Sequence, residues 1–268
     1  MLIQATERTV FCGDGGRKPS QGEALVVFVH AAGADHSIWT LQARYFAHHG
    51  YAVCAIDLPG HGRSAGPSCT TIEDMADVVS SAISTLERDV AMLVGHSMGA
   101  LVAIEVAARL PNLIHRLALL GAGIPMTVND QLLTEARRDV PKAARIITGW
   151  GHSPGARMGG HPAPGLWMMG GAARLIERVS PKTLHADLSS CNRYQAGCEV
   201  FTKINCPTIL LNGSLDRMVP RHASVALAQK ISSIESIDIN SGHFMMSEKP
   251  DAVLDVLRKF IDRAPACD

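Results

Sequence analysis

The segment that most constrains the fold is Gly95-His96-Ser97-Met98-Gly99, which follows an apolar run and precedes a helical pattern rich in small residues. This order predicts a strand, a sharp turn and a helix, the context that raises a serine on an elbow as a nucleophile. The two glycines let backbone approach backbone where a Cβ would clash. The helix N-terminus offers N–H groups and a positive dipole end to an oxyanion. The pentapeptide alone is common, so the prediction depends on partners elsewhere in the chain.

Five short apolar runs predict buried strands, at residues 24–30, 52–57, 92–96, 117–121 and 208–212. These runs show no alternation of polar and apolar residues, and segments with a helical pattern lie between most of them. Both features indicate a parallel sheet covered on both faces. Residues 235–240 alternate and predict a more exposed strand near an edge, and residues 4–12 predict an edge strand followed by a turn. The predicted fold class is therefore α/β, a mostly parallel sheet flanked by helices.

The middle of the chain does not show this alternation of strands and helices. Residues 124–205 contain helical patterns and a Gly/Pro/Met-rich loop but no convincing strand. A chain of 268 residues, 47% of them hydrophobic, suits one α/β domain with an insertion rather than two independent domains. We therefore predict a core formed by residues 1–123 and 206–268, with residues 124–205 inserted as a helical cap, or lid.

Two loops after predicted strands supply candidates for the base and the acid that a serine nucleophile needs. His243 lies between the last strand and the last helix, and Gly242 gives the loop freedom to turn the imidazole inward. Asp216 follows the strand at 208–212, at the sheet edge where catalytic groups collect. Asp187 and Asp238 are weaker rivals for the acid, because the first falls in the predicted cap and the second inside a strand.

An oxyanion hole needs two backbone N–H groups. Met98, directly after the candidate nucleophile, is expected to supply one of them. The second is expected from Ala32, with Ala31 as the alternative, in the loop after the strand at 24–30. His30 begins this loop, and we interpret it as a structural residue that holds the loop by hydrogen bonds.

Taken together, these segments resemble the α/β-hydrolase superfamily, in its cap-bearing, esterase-like branch of serine hydrolases. The similarity covers nearly the whole chain and includes the pentapeptide, residues 57–64, residues 212–220 and residues 241–243. It implies Ser97 as nucleophile, Asp216 as orienting acid and His243 as general base, the same assignment that the residues suggest. One departure is Ala31, where the family usually has glycine. Alanine allows fewer backbone conformations than glycine, so the oxyanion loop is expected to lie slightly differently.

A substrate pocket is expected between the carboxyl edge of the sheet and the cap. Its candidate lining residues are His36, Trp39, Trp150, Trp167, Met168, Tyr194 and Phe244. Tryptophan and methionine above a serine favour a substrate that is mostly apolar near the reacting carbonyl. Residues of these types serve equally well to pack a cap on a core.

The resulting hypothesis is a serine hydrolase that cleaves a small to medium carboxylic ester, thioester or lactone through an acyl-enzyme on Ser97. A C–C bond hydrolase, an amidase and a perhydrolase are alternatives on the same fold. Carbon–carbon hydrolases of this superfamily tend to carry tryptophan directly after the base histidine, and Phe244 disfavours that alternative. A non-catalytic receptor for a small ligand, which can retain the same three residues, is an alternative of a different class.

The composition limits the classes of binding partner that we expect. Lys+Arg and Asp+Glu are equal at 25 each, so nothing suggests binding to nucleic acid or to an anionic membrane surface. No apolar run approaches the roughly 18 residues that span a bilayer. The N-terminal segment lacks the pattern of a signal peptide, so a cytoplasmic location is expected. We expect a small-molecule substrate, no cofactor and no metal site, and the oligomeric state is not readable from the sequence.

Overall fold

The apolar runs form the centre of an eight-stranded sheet in the computed structural model, which describes residues 1–160 and 166–263. The strands are β1 (Leu2–Ala5), β2 (Arg8–Gly13), β3 (Leu25–Val29), β4 (Ala52–Ile56), β5 (Val90–His96), β6 (Leu117–Leu120), β7 (Thr208–Gly213) and β8 (Ile234–Ile239). Their order across the sheet is β1-β2-β4-β3-β5-β6-β7-β8. Strands β3 to β8 are parallel, which confirms the predicted α/β fold class and its mostly parallel sheet.

The N-terminal edge differs from the prediction of a single strand over residues 4–12. It is a hairpin, in which β1 pairs antiparallel with β2 and β2 pairs antiparallel with β4. The chain reverses at Thr6, which has a positive φ of 55° and donates its amide to Ser81 Oγ at 2.7 Å. The turn contains neither glycine nor asparagine, the residues that usually mark a positive φ, so the sequence did not reveal it.

Helices follow most strands. They are α1 (Thr40–His48), α2 (Ile72–Leu86), α3 (Met98–Arg109), α4 (Asp130–Arg138), α5 (Val140–Gly151), α6 (Pro154–Arg157), α7 (Met168–Ile176), α8 (Pro181–Arg193), α9 (Cys198–Thr202), α10 (Arg221–Ala228), α11 (Met245–Glu248) and α12 (Pro250–Ile261). A 3₁₀ turn over His36–Trp39 precedes α1. Across the described residues, no helix combines the length and the apolar character needed to cross a bilayer.

Alternate residues of the buried strands enter two different apolar layers. In β3, Val27 and Val29 pack with α2 and α3 on one face of the sheet, whereas Val26 and Phe28 pack with α1 and α12 on the other. Because side chains alternate along a strand, a strand buried on both faces must be apolar throughout. This explains the uninterrupted apolar runs of the sequence.

Between β6 and β7 the described residues form only helices, α4 to α9. Residues of α4, α5, α7 and α8 share a separate apolar cluster, which includes Leu132, Ile147 and Leu184. Ala32 and Phe244 of the surrounding loops pack against the same cluster. Residues 161–165 of the predicted cap lie outside the described residues, and the division of the chain at residues 124 and 205 stays a prediction.

Candidate active site

Ser97 occupies the turn between β5 and α3 with φ 54° and ψ −115°. A positive φ is unusual for a residue with a side chain, and such strain persists only where the surrounding structure enforces it. The two flanking glycines are required by close approach. A Cβ on Gly95 would lie 2.2 Å from the carbonyl oxygen of Gly99, and a Cβ on Gly99 would lie 2.3 Å from that of Val29. The packing of α3 against the strands therefore enforces the elbow that the sequence predicts.

Asp216 and His243 meet at the carboxyl edge of the sheet, after β7 and β8. His243 Nδ1 lies 2.7 Å from Asp216 Oδ2, and both side chains are almost fully buried. The other carboxylate oxygen of Asp216 accepts hydrogen bonds from the amides of Met218 and Val219, at 2.7 and 3.0 Å. Burial alone would raise the pKa of Asp216, but the His243 ring and these two amides hold it below its usual value. The structure therefore favours the carboxylate form of Asp216 and holds it against the His243 ring.

The third candidate residue, Ser97, shares a cavity with His243. Ser97 and His243 line one cavity of about 510 Å³, which Ala31 and Ala32 of the loop after β3 also line. Because His243 Nδ1 is engaged by Asp216, the free ring nitrogen is Nε2. Ser97 Oγ makes no hydrogen bond to this ring within the described residues, and such contacts often tighten only when substrate binds.

The loop that carries His243 is held from two sides. The backbone amide of His243 donates to the Gly151 carbonyl at 2.6 Å, and His96 Nε2 donates to the His243 carbonyl at 2.9 Å. A Cβ on Gly242 would lie 2.4 Å from the Gly151 carbonyl oxygen, and the amide of Gly242 donates to Glu248 at 3.1 Å. Glycine is therefore required at residue 242 by close approach of the backbone, not by the conformational freedom that the sequence suggested.

The candidate oxyanion donors lie at the same end of the sheet. Ala32 lines the cavity, and Met98 begins α3 directly after Ser97. Within the described residues, the amides of Ala32 and Met98 donate to no protein acceptor. The side chain of Met98 is fully buried in the core, so only its backbone can face a substrate.

His30 holds the loop after β3, as interpreted from the sequence. Its Nδ1 donates to the Ala31 carbonyl at 2.9 Å, and its Nε2 accepts from the amide of Leu58 at 3.1 Å. Burial lowers the pKa of His30 to about 4, so the ring is neutral near neutral pH. The positive φ of this loop, +66°, falls on Gly33. Alanine at residue 31 is therefore tolerated because another residue makes the tight turn.

Two of the predicted pocket residues, Trp150 and Phe244, line the cavity with Ser97. The predicted set omitted other parts of the wall. The segment before and at the start of α4 contributes Met126, Val128, Asn129 and Leu132, among others. Met126, Val128 and Asn129 lie in a loop without periodicity and Leu132 lies in α4, and no signal in the sequence marked any of them as cavity residues.

Three other predicted pocket residues need correction, because each is engaged elsewhere. Trp39 is fully buried in the core below the sheet, where its ring centroid lies 5.1 Å from that of Phe28. Tyr194 is buried and donates its hydroxyl to Glu105 Oε1 at 2.8 Å. His36 makes a 2.8 Å contact with the Asp57 carboxylate, which raises the pKa of His36 and fixes the ring outside the cavity wall. Polar or aromatic character near a predicted loop did not distinguish core from pocket.

Trp167 and Met168 also lie off the cavity wall. Trp167 precedes α7 and is 68% exposed, whereas Met168 begins α7 and is buried. The two rival acids have partners other than His243. Asp238 pairs with Arg221, and Asp187 contacts His61 and the amide of Gly33.

One group of side chains has the composition of a metal site. Ligand atoms of Asp35, His36 and Asp57 all lie within 4.8 Å of one another. The Asp57 oxygens accept from the amides of His36 and Arg63, and Asp35 accepts from the amide of Ser37. The bond from the His36 amide connects the loop after β3 to the loop after β4.

Comparisons with known proteins agree with this fold. "Protein ABHD8" of Bos taurus is 26% identical over 253 residues, which cover 91% of this chain and 57% of the relative, so the chain spans little more than half of such relatives. "(E)-2-((N-methylformamido)methylene)succinate hydrolase" of Acinetobacter baylyi is 25% identical, with coverage of 91% and 92%. The solved enol-lactonase of Burkholderia xenovorans superposes with a TM-score of 0.85 at 17% identity, covering 98% of this chain and all of the other.

The family model is the most direct comparison, because it is matched over most of the chain. Residues 26–256 match the model described as "Alpha/beta hydrolase family". That range runs from β3 into α12, and so includes the elbow and the loops after β7 and β8. This chain belongs to the alpha/beta hydrolase family.

Proposed function

We propose that this protein is a serine hydrolase that cleaves a small to medium carboxylic ester, thioester or lactone. The observation that carries the proposal is the shared cavity of Ser97 and His243, with His243 Nδ1 held 2.7 Å from the buried carboxylate of Asp216. A nucleophile, a base and an orienting acid in chain order Ser, Asp, His is the arrangement that acyl transfer requires in this fold.

In the proposed reaction, Ser97 Oγ attacks the substrate carbonyl while His243 Nε2 takes the hydroxyl proton. The amides of Met98 and Ala32 stabilise the negative charge that forms on the carbonyl oxygen. The ester C–O bond then breaks, and the same proton passes from His243 to the leaving alkoxide. A water molecule then gives a proton to His243 and attacks the acyl carbonyl, the bond to Ser97 Oγ breaks, and the proton passes from His243 to Oγ, which releases the acid and restores the serine.

The cavity supports a substrate with an apolar acyl or alkyl part. Trp150, Phe244, Ile147 and Leu188 contribute large apolar surfaces, and the volume of about 510 Å³ falls in the range of small-molecule pockets. Helices α5 and α8 supply part of this wall, and we propose that the inserted helices act as the cap of the site. The enol-lactonase with the same fold is named for a cyclic ester, which fits this substrate class.

The test is labelling with a fluorophosphonate probe, compared between the wild type and Ser97→Ala. The matched control is Ser224→Ala, which removes a buried serine hydroxyl in α10 outside the cavity. We expect labelling in the wild type and in the control, and none in Ser97→Ala. A panel of p-nitrophenyl esters of increasing acyl length then measures the size of the acyl site.

A folded wild type that neither labels nor hydrolyses any ester would contradict the proposal. A protein that labels but accepts only amides, or only substrates with a C–C bond to cleave, would retain the nucleophile and change the bond. Tight binding of a small ligand without turnover would instead support the receptor alternative.

A further inference from the structure

The carboxylate of Asp187 in α8 is completely buried, close to the loop that carries Ala32. Its Oδ2 accepts a hydrogen bond from the amide of Gly33 at 2.8 Å and another from His61 Nε2, also at 2.8 Å. Its Oδ1 has no hydrogen-bond partner within the described residues. A buried carboxylate is costly unless it is paired, so its retention at this position calls for a physical reason.

The side-chain partner of Asp187 is His61, which is also buried. His61 Nδ1 lies 3.2 Å from the Pro59 carbonyl oxygen, so both ring nitrogens face acceptors. Burial alone would lower the pKa of His61, but the Asp187 carboxylate raises it above its ordinary value. This buried contact joins α8 of the inserted helices to the loop after β4.

Two hydrogen bonds fix the two peptide planes that flank Ala32. His30 donates to the Ala31 carbonyl, which lies in the same planar peptide as the Ala32 amide. Asp187 accepts from the Gly33 amide, which lies in the next plane. With both planes held, the direction of the Ala32 N–H is set before any substrate arrives.

Helix α8 also forms part of the cavity wall. Leu188, the next residue after Asp187, lines the cavity together with Cys191, one turn further on. The loop packs directly against this helix, because a Cβ on Gly33 would lie 2.8 Å from Leu184 Cδ1. Because α8 contacts this loop directly, a shift of α8 is expected to move the loop that carries Ala32.

We infer that Asp187 is a positioning residue, which holds the Ala32 amide for the oxyanion through its hydrogen bond to Gly33 and couples that donor to the cavity wall. This inference rests on the proposed function, in which Ala32 stabilises the tetrahedral intermediate. It assigns to Asp187 a role different from the acid of the triad. The contact with Gly33 and the contact with His61 act together, because they share one carboxylate oxygen.

The first experiment compares ester hydrolysis by Asp187→Ala, Asp187→Asn and the wild type. We expect Asp187→Ala to lower kcat by about tenfold or more with KM changed by less than about twofold, because an oxyanion donor acts in the transition state. The amide oxygen of Asp187→Asn can still accept from Gly33, so this variant is expected to keep at least about a third of the wild-type kcat.

The matched control is Ser190→Ala, in the same helix. Ser190 Oγ is buried and donates to the Thr70 carbonyl at 2.7 Å, so its removal weakens the same helix without affecting the oxyanion loop. We expect its kcat to stay within about twofold of the wild type. Equal losses in Asp187→Ala and Ser190→Ala, or no loss in Asp187→Ala, would overturn the inference.

A second variant covers the case in which Asp187→Ala does not fold. The double substitution Asp187→Leu with His61→Phe removes the carboxylate together with the imidazole, so neither side chain is left buried without the other. It leaves the Gly33 amide without its acceptor, so the same loss of kcat at unchanged KM is expected. Wild-type kcat in this variant would overturn the inference.

A third measurement does not depend on activity. In an NMR spectrum of the ¹⁵N-labelled protein, the Gly33 amide proton is expected to lie downfield in the wild type and to move upfield in Asp187→Asn. A resonance that does not move would show that the contact with the carboxylate is absent, whatever the activity. If the wild type neither labels nor hydrolyses esters, the proposed function fails, and the NMR result alone then decides whether Asp187 holds the loop.

Discussion

His96 Nε2 donates a hydrogen bond to the His243 carbonyl at 2.9 Å, so the residue before Ser97 holds the backbone of the proposed base. The two rings also contact each other, with centroids 4.7 Å apart. Burial lowers the pKa of His96 to about 3, so this ring is neutral and keeps a single proton for the hydrogen bond. The elbow after β5 and the loop after β8 are therefore joined directly.

Replacing His96 by leucine is expected to lower kcat by about tenfold, because the His243 loop loses a donor that fixes its position. The free energy of unfolding should fall by about 1–3 kcal/mol, since a buried carbonyl is left unsatisfied. His96→Gln can place an amide N–H near the same point and should restore most of the activity. Steady-state kinetics and urea unfolding of both variants test this, and equal activity in His96→Leu and the wild type would contradict it.

Asp216→Asn is expected to lower kcat by about 10³- to 10⁴-fold, because a neutral amide no longer selects the tautomer and orientation of His243. The exposed carboxylate of Asp238 provides the matched control, since it pairs with Arg221 outside the triad. Its change to asparagine should leave kcat within about twofold of the wild type. Comparable losses in the two variants would show that Asp216 is not the orienting acid.

The buried strands and the elbow were predictable from the sequence because each depends on local pattern. A strand buried on both faces has to be apolar throughout, and the observed β3, β4 and β7 differ from the predicted ranges by a residue or so at the ends. Helix α3 likewise begins at Met98, as the elbow context requires. The hairpin of β1 and β2 was missed because its turn at Thr6 lacks the residues that usually adopt a positive φ.

The positions of individual pocket side chains were much less predictable. Trp150 and Phe244 line the cavity, but Trp39 lies in the core and Tyr194 binds Glu105. An aromatic residue is suited to both environments, and only the packing of distant segments decides between them. Asp187 illustrates the same limit, because its partners lie 126 and 154 residues away in the chain.

Gly95→Ala is expected to prevent folding or to lower the free energy of unfolding by more than about 3 kcal/mol, because the new Cβ meets backbone that cannot move aside. Gly149→Ala is the matched control, since Gly149 lies in α5 with no atom within 4 Å of an added Cβ. This second change should be neutral or should stabilise by about 0.5–1 kcal/mol through helix propensity. Soluble expression and thermal unfolding distinguish the two, and a stable Gly95→Ala protein would contradict the close approach at the elbow.

Stability is expected to fall on the acid side of neutrality because of buried histidines. His96 and His30 have pKa values lowered by burial to about 3 and about 4, against an ordinary value of 6.5. As the pH falls below 6.5, the unfolded chain takes up protons that the folded chain excludes, so the free energy of unfolding decreases. The contact between His61 and Asp187 affects stability in a different pH range. Because the pKa of His61 is raised in the folded state, its contribution to the free energy of unfolding is complete below pH 6.5 and is lost as the pH rises above that value.

The substitution His96→Gln measures the contribution of one buried histidine to this pH dependence. Well below pH 6.5 and above about pH 4, each excluded proton contributes a slope of about 1.4 kcal/mol per pH unit to the free energy of unfolding. Urea unfolding at a series of pH values should therefore give a slope that is shallower in His96→Gln than in the wild type by about that amount. The carboxylate of Asp216 does not contribute to this slope. Because its pKa is lowered from an ordinary value of 3.8, its contribution to stability is lost only at more acidic pH. Identical slopes in the two proteins would mean that His96 takes up its proton in the folded state, and its hydrogen bond to His243 would then have to involve a charged ring.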